Sequence, residues 1–172
     1  FESDWAVNHH PSGTTEEFGL TIRRFPVEQR AVEEFDRVNA KLLSDACKAL
    51  RPGVSPVSIA DTEIFINENI KSKALIDYLS ANKDNYHAFI FLPYMFSPTI
   101  LGLPLVADRA WLQPCLHDEP QAYFPQTAAV FRQARGLLFN SPGEFELALQ
   151  LYGPGILTRS SLVGEGIEHA EY

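Results

Sequence analysis

Three consecutive polar residues, His117, Asp118 and Glu119, follow a short apolar run at residues 111–116. The run has the composition of a buried strand, so the three side chains are predicted to leave a sheet together at the strand's carboxyl end. In open α/β sheets, ligands bind in the crevice beyond those ends. Imidazole can donate or accept a proton near neutral pH, and carboxylates can act as bases or orient a histidine. These residues are therefore the leading candidates for chemistry.

Each of the three residues also has a structural interpretation. His117 can tie down a loop through hydrogen bonds. Asp118 and Glu119 can favour the positive amino-terminal end of a helix predicted from residue 120. A metal site built from all three is not expected, because adjacent residues seldom converge on one ion without further ligands. The functional and structural interpretations both stay open at this point.

The second half of the chain contains the elements that would position this block. Strand-like apolar runs alternate there with helical patterns: strands at residues 88–92, 111–116, 136–140 and 156–163, and helices at 120–135 and 141–151. Ser141 and Glu144 have capping-box spacing, with Pro142 at the first helical position. Glu144 is therefore interpreted as a cap rather than a catalyst. Alternation of this kind predicts an α/β domain, a Rossmann-like parallel sheet with helices on both faces.

The first half of the chain is less regular. Phe18, Leu20 and Ile22 alternate with other residues and predict a short strand with one buried face. Apolar residues recur at helical spacing over 31–50, which predicts one long amphipathic helix, and a second helical stretch is predicted over 70–79.

Composition excludes several classes of protein. The 172 residues are 45 % hydrophobic and 21 % charged, a normal balance for one globular domain with a sizeable core. The net charge of −8 argues against nucleic acid as a partner. Cys47 and Cys115 lie in apolar contexts far apart in sequence, and we interpret them as reduced core residues. No stretch approaches the ~20 apolar residues of a membrane span.

Several segments resemble the amino-terminal domain of the retaining, GT-B-fold glycosyltransferases of family 4. The matching positions are residues 89–94, 97–99, 102, 114–119 and 134–140, with Glu144, and upstream residues 4–13 and 24–27. In that family two Rossmann-like domains face each other across a cleft. The amino-terminal domain mainly receives the acceptor, and the carboxy-terminal domain mainly holds the nucleotide-sugar donor. The resemblance covers most of the chain.

This resemblance implies that residues 1–172 form one half of a GT-B fold, lacking its first strand and its carboxy-terminal donor domain. His117, which would face the donor sugar, and Asp118 are the expected catalytic residues. The expected acceptor-binding residues are Trp5, His9, His10, Tyr94 and Glu119. A solvated loop remains the alternative for the two histidines, and packing under a loop the alternative for Tyr94.

The same resemblance implies polysaccharide or glycolipid assembly in the cytoplasm, with peripheral membrane contact possible for the full-length protein. The expected partners are a nucleotide-sugar donor, bound through the missing domain, and a glycan or lipid-linked acceptor. No cofactor is expected, because the nucleotide sugar is a substrate, and no metal is expected, because GT-B transferases generally need none for catalysis.

Two other functions stay open. A nucleotide-sugar epimerase on the same architecture would act with no acceptor present. A non-catalytic module that binds a glycan or a protein would keep its activity after the substitution His117→Ala. Hydrolase, dinucleotide-binding and P-loop signatures are absent from the sequence.

Overall fold

A four-stranded parallel sheet forms the centre of the protein. The computed structural model of the chain describes residues 6–164 and residue 166. Within these residues the sheet has the order β3-β4-β5-β6, and each neighbouring pair is parallel. Its strands are β3 (Phe89–Phe91), β4 (Ala110–Leu112), β5 (Gly136–Phe139) and β6 (Ser160–Leu162). The predicted α/β class and parallel sheet are confirmed.

Six α-helices accompany the strands in the described part of the chain. They are α1 (Val32–Leu42), α2 (Ile59–Asn67), α3 (Lys73–Asn82), α4 (Ser97–Gly102), α5 (Pro125–Gln133) and α6 (Pro142–Tyr152). Because the strands lie in sequence order, right-handed crossovers place α4, α5 and α6 on the same face of the sheet. The helices α2 and α3 then pack on α4. Among the described residues, no helix combines the length and apolarity that crossing a bilayer requires.

The core lies between the sheet and the layer of α4, α5 and α6. Ala110, Leu112, Leu137 and Phe139 point into it from the strands, and all four are fully buried. They belong to one continuous apolar cluster that includes Phe131 of α5. Burial of a large apolar side chain contributes roughly 1.5–3 kcal/mol, so this face supplies much of the stability of the domain.

The opposite face of the sheet is open along β3. Ile90 is 68 % exposed and Leu92 is 58 % exposed, whereas Trp111 and Leu138 are half-buried. The Trp111 ring lies over Gly136, where an added Cβ would fall 2.2 Å from ring carbons. The expectation of helices on both faces is therefore not met over β3 within residues 6–164.

Two strands near the amino terminus form a separate hairpin. β1 (Gly13–Glu17) and β2 (Leu20–Arg24) pair antiparallel around the turn Phe18–Gly19. Both turn residues have positive φ, 54° and 78°, as in a type I′ turn. Phe18 is wholly exposed and Leu20 is also exposed. The predicted short strand is confirmed in β2, which contains Leu20 and Ile22. Its predicted buried face is wrong, because Phe18 lies in the turn and Leu20 faces solvent.

Two predicted helices are interrupted. The helix predicted over 31–50 ends at Leu42, because Ser44 is extended and its Oγ donates to the Lys41 carbonyl. The helix predicted over 120–135 is a 3-10 turn followed by α5, since Phe124 is extended and Pro125 starts a new helix. The strand predicted over 156–163 is likewise shorter: a 3-10 helix, Pro154–Arg159, precedes β6.

Candidate functional site

A crevice of about 540 Å³ opens where β4 and β5 end. The loop after β4 forms one wall with residues 115–118, and the start of α6 forms the other with Ser141, Gly143 and Glu144. β4 and β5 are parallel neighbours, so both loops leave the same edge of the sheet. His117 and Asp118 therefore lie at the edge where ligands bind in open α/β sheets.

The loop after β4 turns away from the sheet earlier than the sequence predicts. The amide of Gln113 still donates to the Phe91 carbonyl at 2.9 Å, but Pro114 has no N–H to continue the pairing. Cys115 then takes a left-handed conformation with φ of 52°. A residue with a side chain costs roughly 1–2 kcal/mol there, so its neighbours must hold it in place. The strand predicted over 111–116 is thus a short strand followed by a strained loop.

Glu144 connects the two walls of the crevice. Its side chain is buried, and its Oε1 accepts from the Leu116 amide at 2.6 Å. Its Oε2 accepts from the Asn140 amide, also at 2.6 Å. Ser141 Oγ accepts from the Glu144 amide at 3.2 Å, which confirms the Ser141 half of the predicted capping box. The carboxylate, however, reaches the β4 loop, so Glu144 holds two segments together rather than only starting a helix.

Two amides extend this connection. Gln113 Nε2 donates to Asn140 Oδ1 at 2.8 Å, and Asn140 Nδ2 donates to Cys115 Sγ at 3.5 Å. The Cys115 thiol is therefore part of the supporting network beside the crevice. Both cysteines are thiols, and Cys47 is buried, as predicted. Cys115, which was also predicted to be a core residue, is half-buried at the crevice instead.

Of the titratable side chains that line the crevice, His117 and Asp118 are the exposed ones. The His117 carbonyl accepts from the Glu119 amide at 3.0 Å, which fixes the backbone while the imidazole stays open to solvent. Asp118 Oδ1 accepts from the Tyr123 hydroxyl at 2.6 Å. Burial, together with the Asp118 charge, raises the pKa of Tyr123 to about 12. Tyr123 thus remains a donor at neutral pH and orients the Asp118 carboxylate.

Tyr94 is hydrogen-bonded to two residues of the loop after β4. Its side chain is fully buried, and its hydroxyl donates to Glu119 Oε1 at 2.7 Å. Burial, and then the Glu119 charge, raises the pKa of Tyr94 far above its ordinary value. The Tyr94 amide also donates to the Pro114 carbonyl at 3.0 Å. In this position Tyr94 joins the loop after β3 to the loop after β4, and an acceptor would reach its hydroxyl only if these loops moved.

The remaining residues predicted to bind the acceptor lie elsewhere. His9 and His10 are exposed in the loop before β1, and they are not among the described residues that line the crevice. Trp5 lies outside the described residues. Acceptor binding by these three residues stays a prediction.

A second cavity, of about 550 Å³, lies beside α3 and α4. Its charged groups already have partners: Lys71 pairs with Glu68 at 3.0 Å, and Glu28 accepts from the Lys73 amide at 3.0 Å. The crevice at His117 presents an exposed imidazole and an exposed carboxylate side by side, and it is the stronger candidate for a ligand site. Within the described part of the chain, no three His, Cys, Asp or Glu side chains are grouped to hold a metal ion.

Sequence reasoning missed the supporting residues Gln113 and Asn140 and the second role of Glu144. Asn140 follows β5 as Gln113 follows β4, and parallel strands bring their carboxyl ends together. A polar residue directly after each of two neighbouring strands was therefore the sequence signal that could have predicted the contact between Gln113 and Asn140. No protein-family model, curated protein or solved structure matches the chain.

Proposed function

We propose that this chain is the acceptor-side, Rossmann-like domain of a retaining glycosyltransferase with the GT-B fold. One observation carries most of the support: exposed His117 and Asp118 border a crevice at the carboxyl ends of two parallel strands. The volume of the crevice, about 540 Å³, falls within the range of roughly 300–1,000 Å³ that is usual for small-molecule sites. The sequence resemblance assigns the same residues to sugar transfer.

The chemistry asked of this domain is mainly positioning and electrostatic stabilisation. The His117 imidazole would hydrogen-bond the donor sugar or the acceptor hydroxyl near the reacting carbon. Asp118, oriented by Tyr123 at 2.6 Å, would accept a hydrogen bond from an acceptor hydroxyl. The acceptor would be a glycan or a lipid-linked sugar, in a cytoplasmic setting with peripheral contact to the membrane. The donor would be a nucleotide sugar.

A transferase of this kind needs a second domain for the nucleotide sugar, so the native polypeptide must extend beyond residues 1–172. The intact mass of the protein from its source cells tests this requirement. We expect a product of about twice the 19.3 kDa of this chain or more. A native product near 19.3 kDa would overturn the proposal, because such a chain has no room for a donor domain.

The role of His117 is tested by turnover of nucleotide sugars with the native full-length protein. The substitution His117→Ala should lower turnover by about a hundredfold or more with unchanged folding, as for other single positioned polar groups. His87→Ala is the matched control, because His87 is also exposed but precedes β3 at the opposite edge of the sheet. Equal activity of both variants would favour a non-catalytic binding module. Turnover without any acceptor would favour an epimerase.

A further inference from the structure

Two backbone amides from different loops converge inside the crevice on one buried carboxylate. The Leu116 amide comes from the loop after β4, and the Asn140 amide comes from the loop that directly follows β5. Each lies 2.6 Å from an oxygen of Glu144, and the Glu144 side chain is only 7 % exposed. Backbone amides that converge on one point can bind an external anion such as phosphate. Here a side chain of the protein occupies that position.

We propose that Glu144 is an internal anion that occupies the site formed by the Leu116 and Asn140 amides. In this position it fixes the loop that carries His117. It also leaves the crevice selective for uncharged polyhydroxyl ligands over phosphates. The occupation of this site by Glu144 follows from the two hydrogen bonds and does not depend on the proposed function. The ligand class rests on the proposed function, in which a sugar ring lies beside His117. Glu144 is a positioning residue, because it acts on His117 through the neighbouring Leu116 amide.

The selectivity follows from charge and from hydrogen-bond capacity. A phosphate at the start of α6 would have to displace a carboxylate that holds two charge-assisted hydrogen bonds. A phosphate beside the retained carboxylate would meet its negative charge and find these two donors already used. A sugar hydroxyl carries no charge and can use the exposed His117 and Asp118 side chains instead. The same contact fixes the amide of the residue that directly follows the left-handed Cys115.

The test follows the Leu116 and Asn140 amide signals and the His117 ring signals by NMR. Glu144→Ala is compared with Glu146→Ala, a matched control on the exposed side of the same helix. We expect Glu144→Ala, and not the control, to shift all three sets of signals. Added formate should then bind saturably in Glu144→Ala and return the signals toward wild type. Formate and inorganic phosphate should leave the wild-type amides unchanged.

Unchanged signals in Glu144→Ala, or formate binding to the same amides in wild type, would overturn the internal anion. A merely structural role for Glu144 would give destabilisation that formate does not reverse. If Glu144→Ala does not fold, Glu144→Gln replaces it. The glutamine side chain has only one accepting oxygen, so one of the two backbone amides keeps its acceptor and the other loses it. The amide that loses its acceptor should exchange its proton about tenfold faster. Equal protection of both amides in Glu144→Gln would also overturn the inference.

The ligand class is tested separately by titrating wild type with a methyl glycoside and with inorganic phosphate. Shifts of the His117 ring with the glycoside alone are expected, and shifts with phosphate would contradict the selectivity. A failure of the glycoside to bind, together with formate rescue of Glu144→Ala, would count against the proposed function and leave Glu144 as the internal anion.

Discussion

Glu144 and Asp118 carry the same chemical group at the same crevice, yet their surroundings give them different roles. Glu144 is buried and both of its oxygens are used by backbone amides. Asp118 is exposed and receives a single hydroxyl donor from Tyr123. A buried carboxylate with two donors holds those donors in fixed positions, whereas an exposed carboxylate can exchange its partner for a ligand. The residue type alone could not have separated these roles.

Asp61, on α2, is the residue through which we expect acid to act on stability. Lys41 at 2.9 Å, then Ser58, and then Arg37 hold the pKa of this buried carboxyl at about 2, below its ordinary value of 3.8. A carboxyl with a lowered pKa in the folded state contributes stability that is present above pH 3.8 and is lost as the pH falls through 2.

Urea unfolding between pH 5 and pH 2 measures this contribution. Wild type should lose more free energy of unfolding over that interval than Asp61→Asn, which has no carboxyl to protonate. Asp36→Asn, an exposed position on α1, is the matched control and should follow wild type. Equal slopes for wild type and Asp61→Asn would contradict the prediction.

At the scale of the elements, arginines connect the strand starts at the edge opposite the crevice. Arg109, Arg135 and Arg159 directly precede β4, β5 and β6. Arg109 Nη1 donates to the Tyr86 carbonyl at 3.1 Å, and Arg135 Nη1 donates to the Asp108 carbonyl at 3.0 Å. Each guanidinium thus reaches the backbone just before the preceding strand.

Arg159 gives the sharpest test of this connection. It donates to the carbonyls of Phe131, at 2.8 Å, and Ala134, and burial lowers its pKa. Arg159→Met keeps the unbranched stem of the side chain but removes the guanidinium, which leaves both carbonyls without these donors. We expect the free energy of unfolding in urea to fall by about 2 kcal/mol. Arg132→Met, at an exposed position on α5, should change it little, and similar losses in both variants would argue against the connection.

Gly136 is required by the close approach of Trp111 across β4 and β5. A Cβ at Gly136 would lie 2.2 Å from the indole carbons, so Gly136→Ala must displace the ring. We expect a loss of about 1–3 kcal/mol in the free energy of unfolding, with a shift in tryptophan fluorescence. In a Trp111→Ala background the same change should cost little. Gly143→Ala, where a Cβ meets open space, is the control, and additive losses in the double variant would contradict the prediction.

The elements that sequence predicted well have strong local signals. The apolar runs at 88–92 and 136–140 correspond to β3 and β5, and the capping residues before 142 mark the start of α6. The helix α2 was missed because buried Asp61 and Thr62 break its apolar pattern. Its signal was Ser58, whose Oγ accepts from the Asp61 amide at 3.1 Å as an N-cap.

Other features depended on contacts that no local pattern contains. The hairpin was missed because type I′ turns favour Asn or Gly where Phe18 stands. The Arg23 guanidinium lies over the Tyr78 ring of α3 at 5.4 Å, which anchors the hairpin from a distant part of the chain. The candidate site was predicted in location, through the residues after β4. The hydrogen bond by which Glu144 joins the two walls was not predicted, because Glu144 contacts the Leu116 amide 28 positions earlier in the chain.

At the scale of the whole molecule, the described residues pack the sheet on one side. Leu137 is fully buried on the helix-covered face, whereas Ile90 on the other face is 68 % exposed. Parallel sheets are usually covered on both faces, because both faces are apolar. The uneven burial predicts that equivalent truncations on the two faces of the sheet have very different effects on stability.

Urea unfolding of Leu137→Ala and Ile90→Ala in this chain measures that difference. Leu137→Ala should lower the free energy of unfolding by about 2–5 kcal/mol through lost burial and a cavity. Ile90→Ala should cost less than about 1 kcal/mol, because most of the Ile90 side chain already faces water. Similar losses at both positions would mean that the open face is covered. The same pair measured in a longer native polypeptide, which the proposed transferase requires, would reveal a second layer over β3 as a rise in the cost of Ile90→Ala alone.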